Sequence, residues 1–148
     1  MITLKSLPEL SAARGRAAQI RDRLSRFGRL HESWGQELLG FTRRNFEAQG
    51  ALLDEYPGGW PPLAPSTVSA RKKIFGAPGS ILAATGRLRR SIGFQADSRR
   101  ASLFTPLEYA ARHQDGLGVP RRAIFPAPAQ VIRLVTPKTE AFVREALE

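Results

Sequence analysis

Over the first fifty positions apolar residues recur at three- and four-residue steps, and after that the rhythm breaks. Leu7, Leu10, Ala13, Ala17, Ile20 and Leu24 form one such stripe, which predicts a helix over 6–27. Ser6 with Glu9 has capping-box spacing, Pro8 is tolerated in a first turn, and Gly28 interrupts the pattern. The opposite face carries Arg14, Arg16, Arg21, Arg23 and Arg26, read by default as solvated. A second stripe of Leu30, Trp34, Leu38 and Phe41, broadened by Leu39 and Phe46, predicts a helix over 30–49 that Gly50 ends. Gly35 and Gly40 weaken it by up to about 1 kcal/mol each, but they also permit close packing. His31, near its start, has no obvious partner in the sequence and reads as structural or exposed.

Between Asp54 and Pro65 the chain cannot be helical, because in Tyr56-Pro57-Gly58-Gly59-Trp60-Pro61-Pro62 the prolines lack an amide donor and the glycines favour turns. Trp60, held between glycines and prolines, is expected to pack inward and pin this loop. Ser66 or Thr67 can cap a short helix over 67–74 that carries Arg71, Lys72 and Lys73, and 76–80 form another loop. Thr85 can cap a further short helix. Alternation in 92–96 and 101–105 around a polar turn at 97–100 predicts an antiparallel hairpin. Pro106 starts a helical turn through Tyr109 and His113, which Gly116 and Gly118 end, and 119–125 reads as extended. Gln130 to Val135 looks like a strand with Ile132 and Leu134 on one face, and Thr136 or Pro137 then starts a last amphipathic helix. The predicted class is α+β: N-terminal helices on a small antiparallel sheet, a short central helix, a C-terminal helix and long connecting loops. One domain is expected over 1–148, with a helical front at 1–50, a Pro/Gly loop region at 54–80 and an α+β core at 81–148.

Charge alters this picture more than any other compositional fact. Lys and Arg number 23 against 13 Asp and Glu, a net of +10 over 148 residues, which favours contact with nucleic acid or an acidic surface. The basic residues lie on apolar-patterned segments, so a disordered polybasic arm is a poor description. No apolar run could span a bilayer, and the first residues lack an apolar signal core, so neither membrane insertion nor export is expected. Cysteine is absent and the two histidines, His31 and His113, match no ligand spacing, so no metal and no cofactor are expected. His113 is the only candidate base in the central region, with Asp115, Tyr109 and Ser91 nearby in sequence. His113 and Asp115 diverge on a helix and make no dyad. A hydrogen-bonded packing histidine is the expectation, with no catalytic residues and no enzymatic function. A binding or assembly protein is the reading, and a hydrolase built around His113 is the weakest alternative.

Three clusters carry more information than the periodicity does. They are Trp60, Leu63, Ser66, Thr67 and Lys72; Ile81, Leu82, Thr85, Gly86, Leu88, Ser91 and Ile92; and Tyr109, Ala110, His113, Gln114 and Gly116, followed by Pro120 and Arg122. In this order they resemble the phage virion morphogenesis family, the tail-completion and neck proteins of contractile-tailed phages and prophages. The match covers the middle half of the chain and departs after Arg122, where Ala123-Ile124-Phe125-Pro126 follows. The resemblance implies a structural subunit of the virion neck or tail, assembled in the bacterial host cytoplasm. It further implies a homo-oligomeric ring, commonly a hexamer, that meets other neck, tail-tube or sheath proteins and joins the tail to the head connector. In such a ring Arg87, Arg89, Arg90, Arg121 and Arg122 are candidates for a neighbour or for non-specific contact with DNA in the lumen. The alternative is a stand-alone basic nucleic-acid-binding domain using those residues with Arg99 and Arg100, against which stacking aromatics near them are sparse.

Overall fold

A computed structural model describes residues 7–147. Among them the order is α1 (Leu7–Ser25), α2 (Phe27–Glu47), α3 (Pro65–Phe75), α4 (Arg87–Ser91), β1 (Gly93–Ala96), β2 (Ala101–Phe104), α5 (Tyr109–Asp115) and α6 (Pro128–Leu147). The class is α+β, with one two-stranded antiparallel sheet.

The spine is α2. Its stripe buries Leu30, Leu38, Phe41 and Phe46, and α6 and the hairpin pack against it. Gly35 is what allows the hairpin so close: a Cβ there would lie 2.1 Å from Cδ2 of Phe94. In the hairpin Gly93 pairs with Phe104 and Ala96 with Ala101. Its turn is an Asp97 cap, whose Oδ1 accepts the amides of Arg99 (2.7 Å) and Arg100 (3.0 Å), and these bonds hold the carboxyl below its usual range. His31 does have a partner. It is buried, and its Nδ1–H donates to the Asp97 carbonyl at 2.8 Å, tying α2 to the hairpin turn.

Four local expectations are corrected. The run 130–135 is helix, inside α6, and Pro137 lies within that helix rather than at its start. A strand would have placed Ile132 beside Leu134, but Ile132 is 63% exposed while Gln130 and Val135 are buried. Packing along α2 selects the helical face: Trp34 Nε1 donates to Thr139 Oγ1, and Phe27 meets Phe142 with ring centroids 5.4 Å apart. The break between the first helices falls at Arg26, leaving Gly28 inside the first turn of α2. Helix α3 starts at Pro65 after Ala64 with no side-chain cap, because proline at the first position has no amide to satisfy. Finally, α1 does not pack on the sheet. Its described side chains from Pro8 to Arg23 are exposed, Leu10 and Ile20 by 45% and 56%. The Ser6 cap lies outside the described residues.

Candidate functional site

The three sequence clusters meet at one place, although they come from loops and short helices far apart in the chain. Their common floor is a buried segment, 122–125, that belongs to no sheet. Ala123 and Ile124 are fully buried, so every amide there needs a partner other than water. The Arg122 amide donates to the His113 carbonyl (2.8 Å) and that of Ala123 to the Tyr56 hydroxyl (3.3 Å). Oε1 of Gln114 accepts the amides of both Ile124 (2.8 Å) and Phe125 (3.1 Å). A single side-chain amide therefore does the work of a neighbouring strand. Gly116, in the left-handed conformation, ends α5 just beyond it.

Trp60 closes the floor from the other side. It is 4% exposed, its Nε1–H donates to the Ala123 carbonyl at 2.8 Å, and it meets Phe46 edge-on at 5.3 Å. The expectation that it pins the 54–65 loop holds. Its indole also lies against Gly50, where a Cβ would come within 2.5 Å and φ is +89°, so only glycine serves on both counts. Gln49 accepts the Trp60 amide on its backbone oxygen (2.7 Å) and that of Ile81 on Oε1 (2.7 Å).

Above this floor opens a cleft of about 330 Å³, lined by Leu63, Thr85, Leu88, Tyr109, His113 and Pro120 together with Arg71, Arg87 and Arg122. Leu82, also in the lining, has φ +56°, which costs a non-glycine residue about 1 kcal/mol. Thr85 does serve the next helix: its Oγ1 accepts the Arg87 amide at 3.3 Å, while Gly86 holds the left-handed cap position. Tyr109 meets the His113 ring edge-on, with centroids 6.5 Å apart.

Nδ1 of His113 is buried with no hydrogen-bond partner, so the expectation of a hydrogen-bonded histidine is corrected. Burial first, and the Arg122 guanidinium second, hold the imidazole below its ordinary value. The ring is thus kept neutral, and among the described residues no hydrogen bond joins it to a hydroxyl or carboxylate. Nor, among them, is any group of three or more His, Cys, Asp or Glu side chains placed to hold a metal. The lining of the cleft is apolar and cationic.

The five candidate arginines differ in exposure and in partners. Arg122 is 5% exposed, and its guanidinium donates to the carbonyls of Pro61 and Pro62, both at 2.8 Å. Burial lowers its pKa, and its role is to clamp the proline loop. Arg121 pairs with Glu55, which raises its pKa, and donates to the Gln114 carbonyl at 3.1 Å. Arg89 pairs with Glu47, and Arg90 donates to the Thr85 carbonyl at 2.9 Å. Arg87 is exposed at the mouth of the cleft.

Sequence reading missed three polar anchors. Asn45 is fully buried and accepts the Leu52 amide at 3.1 Å. Gln130 is buried and donates to the Leu52 carbonyl at 2.7 Å. Tyr56, besides accepting Ala123, donates to the Arg121 carbonyl at 3.3 Å. For Asn45 and Gln130 the available signal was an amide side chain standing inside an apolar stripe; Tyr56, in the loop, had none.

Comparison with known proteins adds one finding. A family model described as the phage virion morphogenesis family matches residues 9–147. Searches of curated proteins and of solved structures give no match.

Proposed function

The chain belongs to the phage virion morphogenesis family, whose members serve in virion structure and assembly, and from that membership we propose that it is a non-enzymatic subunit of the neck or tail-completion complex. In this reading copies of the chain close into a ring, six in number, at the upper end of the tail where it meets the head connector. Their partners are each other and the adjoining neck, tail-tube or sheath proteins. The carrying observation is the length of the match, which includes both the helical front and α6. A neutral, unpartnered histidine in an apolar and cationic cleft, with no dyad beside it, agrees with a contact surface more than with catalysis.

The charge supports this reading over a stand-alone nucleic-acid-binding domain. Arg122 is withdrawn into the subunit, and Arg89, Arg90 and Arg121 each have a partner within it while staying solvent-accessible, which scatters the charge that a base-reading surface would gather. In a ring, Arg87 is the member of the set placed to meet a neighbour or the passing genome. Contact of that kind is with phosphates alone, so duplex binding by the free protein is weak, indifferent to sequence and lost steeply with salt. Deleting the gene from an inducible prophage tests the role. Heads and tails that accumulate unjoined, or tails lacking their upper end, are expected; normal titre and joined particles would refute it.

A further inference from the structure

The cleft is not the only concavity. A second one, about 420 Å³, lies between α5, the 105–108 connection and Phe104 at the end of β2. Phe104, Leu107, Ala111 and Phe125 give it an apolar lining, and Glu108 and Asp115 stand on its rim. No basic side chain lines it, although the chain has 23 cations to 13 acids. Phe104 is 41% exposed there, and neither carboxylate is in a salt bridge among the described residues, although Asp115 is within electrostatic reach of Arg121 and Glu108 also lines an adjoining concavity with Arg87 and Arg112.

Elsewhere the molecule exposes the complement. Helix α1 leaves Leu10, Ala13, Ala17 and Ile20 in solvent. At about 3.6 residues per turn, Arg14 and Arg21 border that stripe on one side, and Arg16 and Arg23, with Glu9 among them, on the other, so these arginines flank the stripe and do not lie opposite it as the pattern suggested. The stripe is narrow, Leu10 and Ile20 with two alanines on a helix that is polar on average, and its cations on both shoulders complement an apolar groove with carboxylates on its rim.

We propose that α1 of one copy docks in the α5–β2 groove of the next copy. The two surfaces are different patches of the same chain, so the contact is head-to-tail and generates a ring when the rotation closes. It rests on the ring reading and supplies that ring with an interface. It also explains a helix whose apolar stripe is uncovered within its own subunit.

Two variant chains test it. Glu108→Arg with Asp115→Arg reverses the groove, and Arg14→Glu with Arg21→Glu reverses one shoulder of α1. Each alone is expected to raise the concentration needed for assembly about tenfold or more, with circular dichroism unchanged. Mixing the two restores assembly, because each reversed surface then meets its reversed complement. Ala17→Cys with Ala111→Cys adds a direct readout in a chain that has no native cysteine. On oxidation it is expected to give a ladder of covalent multimers. A bond confined to single chains would show α1 folding back on its own subunit, and would overturn the proposal, as would no bond at all. Wild-type rings that persist unchanged in both reversed variants would overturn it while leaving the ring reading intact. A wild-type chain that never assembles would overturn both.

Discussion

At the scale of single residues, the side chains that matter most satisfy a buried backbone. Gln114 is the test of that statement. Gln114→Ala strands two buried amides at about 1–3 kcal/mol each, whereas Gln114→Glu keeps an acceptor and is expected to cost less; chemical denaturation of the pair checks the order. Trp60→Ala is expected to cost about 3–5 kcal/mol, and a loss under about 1 kcal/mol would contradict its burial. His113 titrates below its ordinary value when folded, so the folded state binds fewer protons than the unfolded one. Stability is therefore full above about pH 6.5 and falls as pH drops below it. Melting temperature followed from pH 7.5 to 5 is expected to decline in the wild type and to decline less in His113→Asn. Trp60's inward packing was legible beforehand, since an indole between prolines and glycines has little reason to be in water. The Gln114 clamp was not, because a side chain that stands in for a strand leaves no periodic trace.

Elements were legible where a stripe was long and its partner unambiguous. The α2 stripe and the hairpin both came through, with boundaries moved by up to three residues. The error in α6 has a physical source. Ile132 and Leu134 fit a two-residue alternation while Val131, Leu134 and Val135 fit a helical step over the same six positions, and only the facing surface of α2 chooses between them. Pro137 reinforced the misreading, since a proline more often opens a helix than sits inside one. The α1 stripe was read correctly as a pattern, yet its burial did not follow, because periodicity does not say what covers a face. Close approach of elements gives the prediction that belongs here. Gly35→Ala would put a methyl within Phe94's ring, so it is expected to destabilise the fold by about 1–3 kcal/mol through overpacking, even though alanine is the better helix former. Gly35→Ala combined with Phe94→Leu is expected to recover part of that loss in denaturant unfolding.

For the molecule as a whole, the cluster spacing carried the family, while the composition carried only a basic protein of the assembly or binding kind. Sequence placed the three clusters in order; it did not place them around one cleft, because long-range juxtaposition is set by the 122–125 floor. It also assigned all five candidate arginines to the outside, where the fold keeps Arg122 within. The central claim is that this family member acts as a closed ring of copies. Mass measurement of the purified wild-type chain by light scattering, with class averages from electron microscopy of the same sample, tests it most directly. A single closed species of six chains around an open lumen is expected. A strictly monomeric chain, both free and in assembled particles, would contradict it.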